Sequence, residues 1–392
     1  MKSFYYLIAT VSILLITSFD NLSAQTLVRE IVGPKNLPGT SEEILYDSSA
    51  VLMENKKILF LGKGADPFKI NLFFVELQSG DFFTYTPSVL DYFDVHKDLL
   101  LPGSELNKNR KNSVYYEELL SFDRSLNQAI FLVKNSSYKY IKGAKIFLIK
   151  WDIKEDKFID IQTIYETTSK DTPLVFNKPL GTDSEGNYYF YNFQKLTKSK
   201  DSEIKAELFK YASNKIESLY TFQTKVYPSH FLYDRKNQKI LILEYAEAYK
   251  KLNPQALSYD IASKTGIRFP IPSVPYGKVY SQDGKRLFIT SAETGEFKIF
   301  DSMNGKVLNT KKLGTYGHAM GYWKDNEIAW IRNSGIHIYD DKSFKQKKVI
   351  STRKYFPKGS VNVQGSLADP SFGILLRNSF SDKGEEYRIL QP

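Results

Sequence analysis

Residues 277–310 read GKVYSQDGKRLFITSAETGEFKIFDSMNGKVLNT. Four short strands are legible in them. Residues 277–281 form the first, and Gln282-Asp283-Gly284-Lys285 is a tight turn. Asp suits such a turn because its carboxylate bonds nearby backbone, and Gly because it tolerates unusual dihedrals. Residues 286–290 form the second strand, 297–300 the third with alternating apolar residues, and 306–310 the fourth. The connection 291–296 and the turn 301–305 separate them. An up-and-down meander of this length cannot bury both of its faces alone. It needs neighbours of the same kind.

Those neighbours are present. Downstream, Gly317-His318, a turn at Asp325-Asn326, strands at 328–331 and 336–339, and then Asp340 repeat the plan. Turn signals recur along the chain at Glu54-Asn55, Asp123, Asp183, Asp234, Asp283, Asp325 and Asp369. From Asp123 onward the steps are 60, 51, 49, 42 and 44 residues. Their repetition marks these acids as structural turn residues rather than catalytic ones. Repeats of this length, each built of several short strands, predict an all-β fold, a single β-propeller. An aromatic-Asp pair closes the third strand in four repeats: Trp151-Asp152, Tyr259-Asp260, Phe300-Asp301 and Tyr339-Asp340. With the Gly277–Asp301 and Gly317–Asp340 spacings of 24 and 23 residues, the chain resembles WD40 and YVTN-type repeat proteins. Only one repeat has Gly-His and only one has Trp-Asp. The resemblance therefore implies architecture and carries no activity.

Earlier repeats fit with longer inserts. The first has strands near 50–53, 57–61, 71–77 and 82–86; the next three span about 114–165, 174–222 and 231–270. The last repeat, 359–392, is one strand short, while residues 27–32 form a strand with no repeat of its own. Open sheet edges invite aggregation, so the early strand is expected to complete the last blade. That gives seven four-stranded blades; a six-bladed ring with one unit outside it is the alternative.

Composition agrees. Aromatics make up 15% of the 392 residues, with 27 Tyr and 27 Phe, and such side chains favour a pleated, half-buried surface. Residues 1–24 read as a cleavable signal peptide: Lys2, an apolar run over 5–16, and small Ser23-Ala24 before Gln25. Residues 25–392 are then one domain. No later segment is long and apolar enough for a membrane span. There are no cysteines, which excludes disulfides, thiolate metal sites, Cys nucleophiles and lipid attachment through Cys. An exported, disulfide-free chain of this size fits a bacterial periplasm or exterior. Asn135-Ser136-Ser137 has the form of a glycosylation acceptor.

The formal net charge is +10, an excess carried mostly by Lys, which lacks the planar fork that reads phosphate in a bidentate way. A basic surface attracts acidic glycans, phosphorylated envelope lipids or nucleic acid; a Lys-rich solvated surface is the plainer reading, and no specific nucleic-acid partner is expected.

Function then turns on the connections. Those from second to third strand, and from one blade to the next, share one face of a propeller. That face carries nearly all the extra sequence here, at 88–113, 135–144, 192–205 and 245–256. These inserts place His96, Arg110, Tyr138, Lys139, Tyr140, Lys142, Lys198, Tyr249, Lys250 and Lys251 together as candidate ligand-binding residues. Aromatic rings stack on sugar rings while neighbouring Lys meets negative charge. The expected partner is a protein or an anionic glycan of the cell envelope. No catalytic residue, metal or cofactor is expected. Gly-x-Ser-x-Gly is missing, and Gly62-Lys63-Gly64 lacks the spacing of a phosphate loop. Two alternatives stay open. One is a hydrolase or lactonase at the axial mouth, near His230 and His318 at the starts of inner strands. The other is a structural subunit of an envelope assembly.

Overall fold

The computed structural model describes residues 27–32, 51–54, 57–63, 70–76, 82–85, 89–100, 112–123, 128–137, 144–167, 175–183, 185, 187–195, 203–213, 215–226, 228–246, 252–314, 317–332, 335–355, 362–369, 373–381 and 384–390. After β1 (Leu27–Val32), strands follow in four-stranded antiparallel meanders. The first sheet holds β2 (Val51–Glu54), β3 (Lys57–Lys63), β4 (Ile70–Glu76) and β5 (Phe82–Tyr85). The second holds β6 (Asn112–Asp123), β7 (Gln128–Ser137), β8 (Ala144–Asp152) and β9 (Lys157–Thr167). The third holds β10 (Val175–Thr182), β11 (Tyr188–Lys195), β12 (Ile204–Ala212) and β13 (Lys215–Thr224). The fourth holds β14 (Pro228–Asp234), β15 (Lys239–Glu244), β16 (Gln255–Asp260) and β17 (Thr265–Pro270). The fifth, from the stretch quoted at the outset, holds β18 (Pro275–Tyr280), β19 (Arg286–Ser291), β20 (Glu296–Asp301) and β21 (Val307–Lys312). The sixth holds β22 (Gly317–Lys324), β23 (Glu327–Arg332), β24 (Gly335–Asp340) and β25 (Gln346–Ile350). The last sheet has the order β1-β28-β27-β26, from β26 (Asn362–Asp369), β27 (Gly373–Ser381) and β28 (Gly384–Leu390). The earliest strand of the chain thus pairs with the last, Glu30 opposite Arg388 and Val32 opposite Glu386.

Burial explains why strands of one sheet differ in composition. Every residue of β15, KILILE, is buried, whereas β21, VLNTKK, is almost wholly exposed. Second and third strands are covered on both faces by adjacent sheets, so they read as continuous apolar runs. Fourth strands face outward and read as polar. Face-to-face packing runs in series. Ile130 and Leu148 of the second sheet meet Phe190 and Tyr211 of the third, and Tyr191 and Leu208 of the third meet Ile240 and Leu257 of the fourth. Leu241 and Phe269 meet Tyr280 and Ile289, Phe288 and Ile299 meet Tyr322 and Trp330, and Trp323 and Ile338 meet Ile374 and Leu376. Each such side chain contributes roughly 1.5–3 kcal/mol. Sheets stacked in this way are propeller-like.

The aromatic-Asp pairs have a mechanical role. Trp151, Tyr259, Phe300 and Tyr339 are buried. The Asp that follows each one turns the chain. Asp152 Oδ1 accepts from the Lys154 and Glu155 amides at 2.9 Å, and Asp260 Oδ1 from the Ser263 amide at 2.8 Å. Asp301 Oδ1 accepts from Met303 N–H and Asp340 Oδ1 from Ser343 N–H, both at 2.8 Å. The fourth residue after each Asp is left-handed: Asp156, Lys264, Gly305 and Phe344, with φ of 49°, 55°, 71° and 53°. The acids between first and second strands are likewise spent on turns. Asp183 Oδ1 accepts from Glu185 N–H and Asn187 N–H at 2.9 Å. That face is stitched sheet to sheet by Arg235 Nη2 to the Asp183 carbonyl at 3.2 Å and Gln282 Nε2 to Asp325 Oδ1 at 3.1 Å.

Burial raises the Asp260 carboxyl, but the Ser263 amide and hydroxyl and the Lys239 ammonium hold it, net, below its ordinary value. Lys239 is itself buried, with Asp260 Oδ2 at 3.3 Å. Asp260→Ala is therefore expected to cost about 1–2 kcal/mol at pH 7. The native carboxyl titrates below the unfolded one. Its contribution is thus present above about pH 4 and fades as pH falls through the lower native value. Urea unfolding at pH 7 and pH 3 should show a large difference between variant and wild type at the first and a small one at the second.

Three sequence expectations change. The connection after the first sheet is not an open insert, because it carries a helix, α1 (Val89–Val95), and a 3₁₀ turn, Lys97–Leu99. Two of the insert loops are shorter than their sequence reading, since β7 runs on to Ser137 and β11 to Lys195. Asn135 lies fully buried within β7, so the glycosylation pattern there is inaccessible. The proposed signal peptide, residues 1–24, lies outside the described residues. Among those described, no helix is long and apolar enough to cross a membrane.

Candidate functional site

Of the ten residues singled out from sequence, only His96 falls among the described residues. It opens the 3₁₀ turn, where its carbonyl accepts from Leu99 N–H at 3.1 Å. Its ring lies 4.4 Å from that of Tyr92. The segment around it clamps onto the second sheet. Buried Phe93 lies 5.2 Å from Phe147, Tyr92 lies 5.4 Å from Phe158, and Lys145 Nζ reaches the Leu99 carbonyl at 3.1 Å. His96 is thus a packed part of a cover. Arg110, Tyr138, Lys139, Tyr140, Lys142, Lys198, Tyr249, Lys250 and Lys251 lie outside the described residues. Their neighbours in sequence place them in connections: 138–143 between β7 and β8, 196–203 between β11 and β12, and 245–254 between β15 and β16.

The 245–254 connection is anchored at both roots. Glu244 accepts from Arg268 Nη2 at 2.5 Å and, through its other oxygen, from Gln255 N–H at 2.8 Å. Arg268 also lies over the Phe222 ring and donates to the Gln223 carbonyl at 3.1 Å. The link between the fourth and fifth sheets is laced to the same loop: Ile271 N–H donates to the Pro254 carbonyl at 3.0 Å and Val274 N–H to the Ala246 carbonyl at 3.1 Å. Val274 has φ of 49°, a costly conformation for a β-branched residue. These bonds hold it there.

The lacing brings three rings together. His230, near the start of β14, is 4.9 Å from Tyr276, near the start of β18, and 5.8 Å from Tyr245 at the loop root. The two Tyr rings are 6.2 Å apart. Their planes are inclined at 50°, 63° and 84°, so the cluster is a corner rather than a stack. All three are partly exposed, and all lie on the face that bears the second-to-third-strand connections.

Lys278 completes the corner. Along β18, Val279 packs toward the sixth sheet and Tyr280 toward the fourth. Alternation puts Lys278 on the Tyr280 side of β18, the side toward the fourth sheet. It sits deep in the body yet retains partial exposure. Among the described residues it has no ion pair or hydrogen bond. Burial alone pulls its amine down to about 8.

Sequence reasoning placed His230 at an axial mouth but missed Tyr245, Tyr276 and Lys278. The available signal was the spacing of Tyr276, Lys278 and Tyr280 in a first strand, although the pairing of β18 with β19 shifts register between Pro275 and Lys278. His318 lies in β22, and its side chain lies outside what the structure describes. Among the described residues, no group of three His, Asp or Glu side chains is arranged to hold a metal ion.

No protein-family model matches this chain, and no curated protein matches it in sequence. Several solved structures share its outline. Apo AztD from Citrobacter koseri is 12% identical with a TM-score of 0.45, covering 78% of this chain and 72% of its own. A chain of the mitotic checkpoint complex is 9% identical with a TM-score of 0.48, covering 95% and 99%. The AfRom2 CNH domain is 8% identical with a TM-score of 0.46, covering 93% and 99%.

Proposed function

We propose that residues 25–392 form an exported, non-catalytic binding propeller of the periplasm or cell exterior. Its seven blades close into a ring, with β1 completing the last. It binds a partner protein or an acidic glycan of the envelope through the face that carries the insert connections.

The observation that supports this best is the partly exposed corner of His230, Tyr245 and Tyr276. It stands on two inner strands and at the root of the loop containing Tyr249, Lys250 and Lys251. Strand ends fix the rings, and the connections beside them carry the lysines in sequence. Such a division suits recognition of a ligand that is both ring-bearing and anionic. The turn acids Asp183, Asp234 and Asp283 each spend one oxygen on backbone amides of their own turn.

The test is capture from envelope extract with residues 25–392 as bait, beside the variant with Lys139, Lys142, Lys198, Lys250 and Lys251 all changed to Glu. A ligand held by the native bait at low salt, weakened at moderate salt and lost with the variant is the expected result. Equal retention by both baits overturns the assignment of this face.

A further inference from the structure

We propose that the seam between the fourth and fifth sheets is the ligand subsite of this face and takes a single sugar residue bearing a carboxylate, the ring seated against Tyr276 and Tyr245 and the acid reaching Lys278. This rests on the glycan-binding reading of the face and narrows it. The cluster's shape sets the size of the occupant. Rings inclined at 50° to 84° leave no flat platform for a row of bases or an extended peptide. They present inclined faces to one compact ring. Sugars present C–H faces to aromatic rings and hydroxyls to their polar edges, and Tyr and His offer both.

Position sets the charge. Lys278 lies on the same side of β18 as Tyr280, toward the fourth sheet, two residues along from Tyr276 and, like it, half-buried. Among the described residues of the loop root, the acid Glu244 is already paired with Arg268 and does not compete for it. A half-buried ammonium with no side-chain partner among the described residues carries a desolvation cost. A carboxylate entering the seam supplies the missing partner. Only a small group on a compact ring reaches it, which separates a uronic-type sugar from a flat anionic surface. The lacing of Val274 to Ala246 and of Ala292 to Val274 holds the corner before any ligand arrives, so little ordering is required on binding.

Calorimetric titration of the purified protein with a β-1,4-linked glucuronate tetrasaccharide, and with the glucose tetrasaccharide of the same linkage, tests the proposal. The acidic oligomer should bind at least tenfold more tightly. Tyr276→Ala should weaken both oligomers tenfold or more, while Tyr276→Phe keeps binding within about threefold. Lys278→Met should bring the acidic oligomer down to the level of the neutral one and leave the neutral one unchanged. Equal affinity of the two oligomers for wild type, no binding of either, or an acidic preference that survives Lys278→Met overturns the subsite. Acid binding lost in the five-Lys variant but untouched by Tyr276→Ala and Lys278→Met overturns the subsite while the face-level reading stands.

Discussion

Lys278→Met should stabilise the protein at pH 7, by at most about 3 kcal/mol, and should flatten its stability between pH 8 and 10. The amine is pulled from its ordinary 10.5 down to about 8 by burial alone. A shift of that size corresponds to roughly 3 kcal/mol of penalty on the charged form, and the partial exposure of the side chain reduces it. The sign follows from proton counting. Between about pH 8 and 10.5 the unfolded chain holds the proton and the folded chain has released it, so wild-type stability rises with pH across that window. Below it both states are protonated and the full cost is present. Above it both are neutral and the cost is gone. Met matches the length of the stem and carries no charge, so the variant lacks both the cost and the slope. Denaturant midpoints from pH 6.5 to 10 measure this directly. A wild-type curve that is flat over that range, or a variant less stable than wild type at pH 7, shows the amine to be well solvated. The charge that weakens the fold at neutral pH is the one the proposed seam would pair, which ties this measurement to it.

Gly321→Ala should be severely destabilising, by about 3 kcal/mol or more. A Cβ on Gly321, in β22, would lie 2.2 Å from the Ala368 carbonyl oxygen on β26. Both partners are backbone of first strands whose sheets share a packed core of Trp323, Ile338, Ile374 and Leu376. Neither strand can yield without opening that core. Gly277 makes an instructive contrast. There a Cβ would meet Thr290 Oγ1 at 2.5 Å, the far end of a side chain that can rotate, at the cost of the Gly277 N–H···Oγ1 bond of 3.0 Å. Gly277→Ala should therefore lose only about 1–2 kcal/mol. Thermal unfolding of the pair separates the cases. Similar midpoints for the two variants would mean that the contact between the sixth and last sheets is loose.

Much of the architecture was legible because it depends on local rules. Asp283-Gly284 and the aromatic-Asp pairs announce turns through bonds that a residue makes with its own neighbours, as Asp301 does with Met303 N–H. KILILE and KIESLYTFQT differ in pattern because one strand is covered on both faces and the other is not. The 89–100 segment was not legible. Its short apolar run, VLDYFDV, becomes a helix only because Phe93 finds Phe147 across the second sheet. Insert lengths were overestimated where β7 and β11 continue their hairpins, since strand extension into polar sequence depends on the partner strand.

From the sequence alone came the all-β class, the repeat, the turn chemistry and the face with the longest connections, because each follows from periodicity and nearest neighbours along the chain. Only the tertiary structure decided that His230, Tyr245 and Tyr276 meet and that Lys278, on the same strand as Tyr276, is half-buried. Those residues lie on three segments spread across two sheets, and their meeting depends on the packing of β14 against β18. No local rule encodes that contact.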